Sequence, residues 1–248
     1  MLRRRSLMGG GPKDYIEFAN ADIGAYFAEK YGDGVGITYA QAAAITEFDS
    51  SLQMSNIVGQ TTYTFEELNY FTGLVSLPAY FLESYNRQET YDCHISCLSL
   101  PNLTSIGYES CMFTTISELD CPKLTSIGVN ALCDSKTKRI ILGEAFTNSN
   151  TNGLITWNDD LEYLYFTNLK TISNFFVLAK CYNANLKVYI ATPDGVPTIS
   201  SSIGEKYYET SIWQVASTAK LYVPSNLVSA YKSAGAPWTT CFASINAI

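Results

Sequence analysis

Apolar residues recur in this chain as pairs two positions apart, and the pairs themselves recur at intervals of 21 to 33 residues. Leu98 with Leu100 is followed by Leu119 with Cys121, Ile140 with Leu142, Leu164 with Phe166, Val188 with Ile190, and Leu221 with Val223. Such alternation places each pair on one face of a short strand and its neighbours on the other. The steps are 21, 21, 24, 24 and 33 residues, so the early units are regular and the last carries an insertion. A turn and a second apolar pair follow most strands: Leu103 with Ile106, Leu124 with Ile127, and Leu169 with Ile172. Leu74 with Leu77 is an upstream copy, and Thr198-Ile199 is a frayed one. Pro101, Pro122 and Pro224 come directly after strands, where a missing N–H and a fixed φ end the ladder.

Residues 95–107 and 116–128 match at nine of thirteen positions, at a fixed offset of 21. A period of this size marks stacked supersecondary units that cannot bury their apolar side alone and bury it on their neighbours. The expectation is a solenoid over 63–224 whose spine is formed by residues 98, 119, 140, 164, 188 and 221. Each inward aliphatic is worth about 1.5–3 kcal/mol when buried.

The run Leu-Thr-Ser-Ile-Gly, present twice behind Leu-Pro or Cys-Pro, resembles the leucine-rich repeats of the BspA type, also called the Treponema pallidum type. Such repeats are common in gut Bacteroidetes and in the phages and prophages that infect them. The resemblance covers roughly 63–224 and departs from the pattern at 143–160 and 192–219. It implies an α/β repeat fold: a leucine-rich-repeat solenoid with a short-stranded parallel sheet, a small N-terminal helical cap and a C-terminal capping helix. The Ala-Phe-x-x-Cys element that often ends a unit is degraded here to Ala131-Leu132-Cys133.

The chain divides into a basic tail (1–13), an N-terminal helical cap (14–62), the solenoid (63–224) and a C-terminal cap (225–248). Ile23, Phe27 and Tyr31 are spaced for one face of a helix between Asn20 and Tyr31. Thr38-Tyr39-Ala40-Gln41 is a capping-box pattern, and Thr64-Phe65-Glu66-Glu67 is a second one, opening a helix towards Phe71. The loop from Tyr31 to Thr38 resembles a degenerate EF-hand or dockerin loop. A calcium loop needs several oxygen-bearing side chains, and only Asp33 stands at such a position, so a Gly-rich turn is expected. Ser225 is the expected N-cap of a final helix, with Gly235 just past its end and Pro237 beyond.

Composition narrows the function classes. The chain has 16 Lys+Arg against 23 Asp+Glu, a net charge of −7, which argues against nucleic-acid binding. Arg3, Arg4 and Arg5 form the basic cluster of what reads as a flexible tail, the alternative being a tether to an acidic partner or an attachment segment on a virion. No apolar signal-peptide core follows them and no run is long enough for a membrane-spanning helix, so membrane insertion is not expected. Seven cysteines, an odd number with several at repeat-related places, fit reduced buried thiols better than a disulfide framework.

Chemistry is sparse. His94 is the one histidine and stands in Cys93-His94-Ile95-Ser96-Cys97 without a second ligand pair; a solvated turn before the strand is expected. No phosphate-cradling Gly motif occurs, and Asp159-Asp160 reads as turn residues. No catalytic residue, cofactor or metal is expected. Carboxylates in the irregular segments (Glu144, Asp159, Asp160, Asp194, Glu205, Glu209) leave an enzyme acting on carbohydrate as the weaker alternative.

The residues between the inward ones form the candidate partner-binding face: Glu118, Asp120, Arg139, Tyr163, Tyr165, Lys187, Tyr189 and Tyr222. Tyrosine combines a rigid apolar body with a polar tip and suits recognition surfaces. The expected function is a non-enzymatic interaction or adhesion protein whose partner is a protein or a surface glycan. The resemblance, with no leader seen, points to a phage virion component (decoration, tail or receptor-binding) assembled in the cytoplasm; the alternative is a bacterial surface adhesin.

Overall fold

Inward apolar rows and backbone ladders wind this chain into a parallel β-solenoid. The computed structural model describes residues 14–59, 61–84, 92–143, 155–172, 177–199 and 212–248. Its largest sheet has eight strands, each parallel to the next: Tyr63–Thr64, Cys93–Ser99, Thr115–Cys121, Arg139–Leu142, Tyr163–Phe166, Lys187–Ile190, Lys220–Val223 and Ser244–Ala247.

Leu98, Leu119, Ile140, Leu164, Val188 and Leu221 stand in one unbroken register that continues to Ile245. The first six are no more than 1% exposed. A second inward row holds Cys121, Leu142, Phe166 and Ile190. Cys121 occupies an aliphatic place there, as its burial requires.

The Leu-x-x-Ile spacing builds the second side of each coil. Leu77, Ile106 and Ile127 pair in one row, and Ile172 pairs with Ile199 in another. The glycine that closes the copies ending at Ile106 and Ile127 has a steric cause. A Cβ on Gly128 would lie 2.5 Å from the carbonyl carbon of Gly107, and one on Gly107 would lie 2.6 Å from the Ala79 nitrogen. Consecutive coils touch backbone to backbone at this corner, and only glycine fits.

The third side has no common side-chain signature. Late coils place the strands Ile155–Thr156, Leu178–Cys181 and Trp213–Val215 there. Earlier coils run the ladder through turns instead: Cys111 N–H donates to Ala131 O, Phe113 N–H to Cys133 O, and Asp134 N–H to Thr156 O, at 2.9, 3.1 and 3.0 Å. Phe113, Asp134, Trp157 and Lys180 all have φ between 51° and 60°, in steps of 21, 23 and 23 residues. A left-handed corner is easy for Asp and unfavourable for Phe or Trp. The stacked ladder therefore overrides local preference at three of these four corners.

Helices α1 (Ala21–Lys30), α2 (Tyr39–Ala44) and α3 (Ser55–Val58) precede the first coil. Asn20 caps α1 by accepting from the N–H groups of Asp22 and Ile23, and Thr38 with Gln41 forms a capping box on α2. Phe27 of α1 packs on Phe65 and Phe71, with ring centroids 5.7 and 4.9 Å apart. Between α1 and α2, Asp33 turns its carboxylate on its own loop, accepting from Val35 and Gly36 N–H and from the Tyr15 hydroxyl. After the last long coil come α4 (Val228–Ala234) and α5 (Trp238–Cys241), where Trp213, Tyr231, Trp238 and Phe242 pack together.

Several sequence expectations are corrected. Thr64 does not cap a helix: it pairs with His94 in the main sheet, and Glu66–Tyr70 is a 3₁₀ turn without a side-chain cap. Ser225 begins a 3₁₀ turn rather than capping α4, because Pro224 leads the chain out of its strand into a tighter turn. His94 lies inside the strand Cys93–Ser99, not in a turn before it; the buried Ile95–Ile116 pair draws the ladder upstream. Within 225–248, Ser244–Ala247 adds an eighth strand, since Ile245 extends the inward row. The basic tail, Glu144, Glu205 and Glu209 lie outside the described residues.

Candidate recognition face

Two outward rows run along the main sheet between the buried ones. One reads Cys97, Glu118, Arg139, Tyr163, Lys187, Lys220, Ser244; the other reads Ser99, Asp120, Ile141, Tyr165, Tyr189, Tyr222, Asn246. Parallel strands stand about 4.8 Å apart, so residues of one row are in contact range. All eight residues read from the sequence as the candidate face lie in these rows, partly or fully exposed.

The first coils present small and acidic groups, whereas the later ones present rings and cations. Tyr163 and Tyr189 have centroids 4.6 Å apart, as do Tyr189 and Tyr222, the latter pair tilted by only 12°. Tyr165 lies 6.1 Å from Tyr163 and 6.0 Å from Tyr189. The Arg139 guanidinium sits 4.6 Å from the centroid of Tyr163, a cation–π contact at the stack's acidic side. Ring faces are thus largely spent on one another, and the strip offers edges and hydroxyl tips outward. Partial burial pushes the Tyr163 and Tyr189 hydroxyls up from their ordinary range.

Beside the strip, at the start of the later strands, lies an open groove of about 370 Å³. Glu162, Tyr163, Asn185, Lys187, Thr218 and Lys220 are among its lining residues. The Thr218 hydroxyl donates to Ala184 O at 2.7 Å and fixes the rim. Lys187 and Lys220 are register neighbours, and neither forms an ion pair among the described residues. Sequence reasoning missed Lys220, Glu162, Asn185 and Thr218. Lys220 could have been found, since it precedes the inward Leu221 as Lys187 precedes Val188. The others come from turns, whose approach to the strand no residue pattern announces.

The free edge of this sheet at its acidic end is covered locally. Tyr63–Thr64 pairs only with the first two residues of Cys93–Ser99. Beyond them the Asn69 side chain stands in for a strand, donating to Cys97 O and accepting from Ser99 N–H, both at 2.7 Å. Such an edge would otherwise invite another chain.

Reactive groups do not gather here. None of the seven cysteines forms a disulfide, and burial pushes the Cys111 and Cys181 thiols up to about 12, away from thiolate chemistry. His94 Nε2 lies 3.5 Å from the Asp92 carboxylate, which also accepts from Thr115. Burial raises the Asp92 pKa, with the Thr115 hydrogen bonds and His94 opposing. Asp159 accepts from Tyr182 N–H at 2.8 Å, a turn-fixing bond. Among the described residues no three His, Cys, Asp or Glu side chains converge as a metal site, and no helix is long and apolar enough to cross a membrane. No protein-family model, curated protein or solved structure matches the chain.

Proposed function

We propose that this chain is a non-enzymatic recognition module of the BspA-like leucine-rich-repeat kind, which binds its partner through the outward face of the later coils. The supporting observation is the contiguous strip Tyr163, Tyr165, Tyr189 and Tyr222, flanked by Arg139, Lys187 and Lys220 on the same sheet face. A solenoid spends its inward residues on stability, so variation on one outward face is free to serve binding. The helices before the first coil and after the last close the two ends of the core in this reading. The partner is a protein or a surface glycan, and the carrier is a phage particle or a bacterial surface.

The test is co-sedimentation of the purified chain with phage particles and, separately, with Bacteroidetes cells. The triple variant Tyr165→Ser, Tyr189→Ser, Tyr222→Ser is compared with a control altered at Tyr80 and Tyr108 on another side. Loss of binding in the triple variant alone supports the face. Equal binding by both variants rejects it, and the particle that carries the chain down identifies the setting.

A further inference from the structure

We infer that the groove beside the tyrosine strip binds a carboxylate-bearing sugar, a uronic-acid type of residue in an acidic glycan; the inference rests on the recognition reading and names its ligand class. Charge comes first. The protein carries a net charge of −7, yet this groove sets Lys187 and Lys220 side by side with no ion-pair partner among the described residues. Two adjacent ammonium groups repel unless an anion lies between them or water screens both. Against them stands one carboxylate, Glu162, so the groove's own balance is one positive charge. A monoanion matches that balance, whereas a phosphate dianion would meet Glu162 at close range.

Shape and polarity narrow the class further. At about 370 Å³ the groove is at the small end of ligand sites, which run to about 300–1,000 Å³. Its walls combine a hydrogen-bond acceptor (Glu162), an amide (Asn185) and an aromatic ring (Tyr163). A carboxylate acceptor suits the hydroxyls of a sugar, and Tyr163, whose ring faces are taken up by Arg139 and Tyr189, adds its hydroxyl tip as a further hydrogen-bonding group. The lysines supply charge-assisted bonds to the sugar's own carboxylate. The hydroxyl tips of Tyr165, Tyr189 and Tyr222 continue from the groove along the sheet, so further sugar units of a chain would have donors to meet.

Titration calorimetry on the full chain tests this with trigalacturonic acid, maltotriose and inorganic phosphate as probes. The expected result is binding of trigalacturonic acid, at least tenfold weaker or no binding of maltotriose, and affinity that falls with added NaCl. Lys187→Gln and Lys220→Gln are each expected to weaken trigalacturonic acid by roughly tenfold. Thermal melts should be unchanged, since both side chains are exposed. No binding of trigalacturonic acid, or binding indifferent to both substitutions, overturns the inference. Phosphate bound as tightly, with the same lysine dependence, overturns the sugar assignment. Should the serine variant above lose its partner while wild type ignores trigalacturonic acid, this inference fails and the recognition face stands. If neither experiment shows binding, both fall.

Discussion

The early and late coils share an interior and differ in what they show to solvent. Leu98, Leu119 and Ile140 in the first coils and Leu164, Val188 and Leu221 in the later ones occupy one inward row, all essentially without exposure. Directly outside that row the sequence changes from Cys97, Ser99, Glu118 and Asp120 to Tyr163, Tyr165, Lys187 and Tyr189. Packing fixes the inside, because every coil must match its neighbours at close-packed density. The ladder constrains the outside far less, so the character of the outward rows can change from one half of the sheet to the other. The third side repeats the lesson in backbone form, as turns in the first coils and as strands in the later ones.

Substitutions can break this comparison or sharpen it. The largest effects belong to the shared interior: Leu119→Ala and Leu164→Ala should each cost about 2–5 kcal/mol in urea unfolding, alike in both halves. A large inequality would show that one half does not share the stack. Next comes the corner specific to the early coils. Gly128→Ala must push the Gly107 backbone away from a Cβ at 2.5 Å, an overpacking worth roughly 1–3 kcal/mol by the same measurement. Unchanged stability would mean that the two coils are not in backbone contact there.

Outward positions should separate the halves. Tyr189→Ser removes close ring contacts with Tyr163 and Tyr222 and is expected to cost about 0.5–1.5 kcal/mol. Ser99→Ala on the early face should stay within about 0.5 kcal/mol of wild type. Equal values would deny the tyrosine stack any energetic weight.

The smallest expected effect concerns pH and the early coils' acidity. Burial, helped by the nearby Glu109 carboxylate, raises the Glu83 pKa to about 6 from 4.5. Between those values the folded chain keeps a proton that the unfolded chain has lost. Stability therefore falls as pH rises through that window and is fully retained below it. Glu83 is only partly buried, so screening holds the effect below about 1 kcal/mol. Glu83→Gln should flatten the decline in urea midpoints between pH 4.5 and 6. A wild-type midpoint that rises with pH in this window would contradict the assigned burial.

Much of this architecture was legible because buried side chains leave a record. Alternating aliphatics gave the main sheet and its register, and Leu-x-x-Ile gave the second side as far as Leu77 and Ile199. The Thr38–Gln41 pair marked a helix start, since a side chain has to satisfy orphan N–H groups there. The rows Glu118, Arg139, Tyr163, Lys187 and Asp120, Tyr165, Tyr189, Tyr222 followed from the inward ones by alternation alone.

Tertiary structure alone decided the rest. The third side is held by N–H and C=O groups that every non-proline residue owns, so Cys111–Ala131 and Trp157–Ala179 pairings carry no residue signature. Thr64 satisfies a capping pattern and yet pairs with His94, because the sheet offers its backbone a neighbour that a local motif cannot anticipate. The groove likewise joins Glu162, Asn185 and the Thr218–Lys220 segment from three coils. Periodic burial is written along one dimension of the chain, whereas a site between coils exists only once they are stacked.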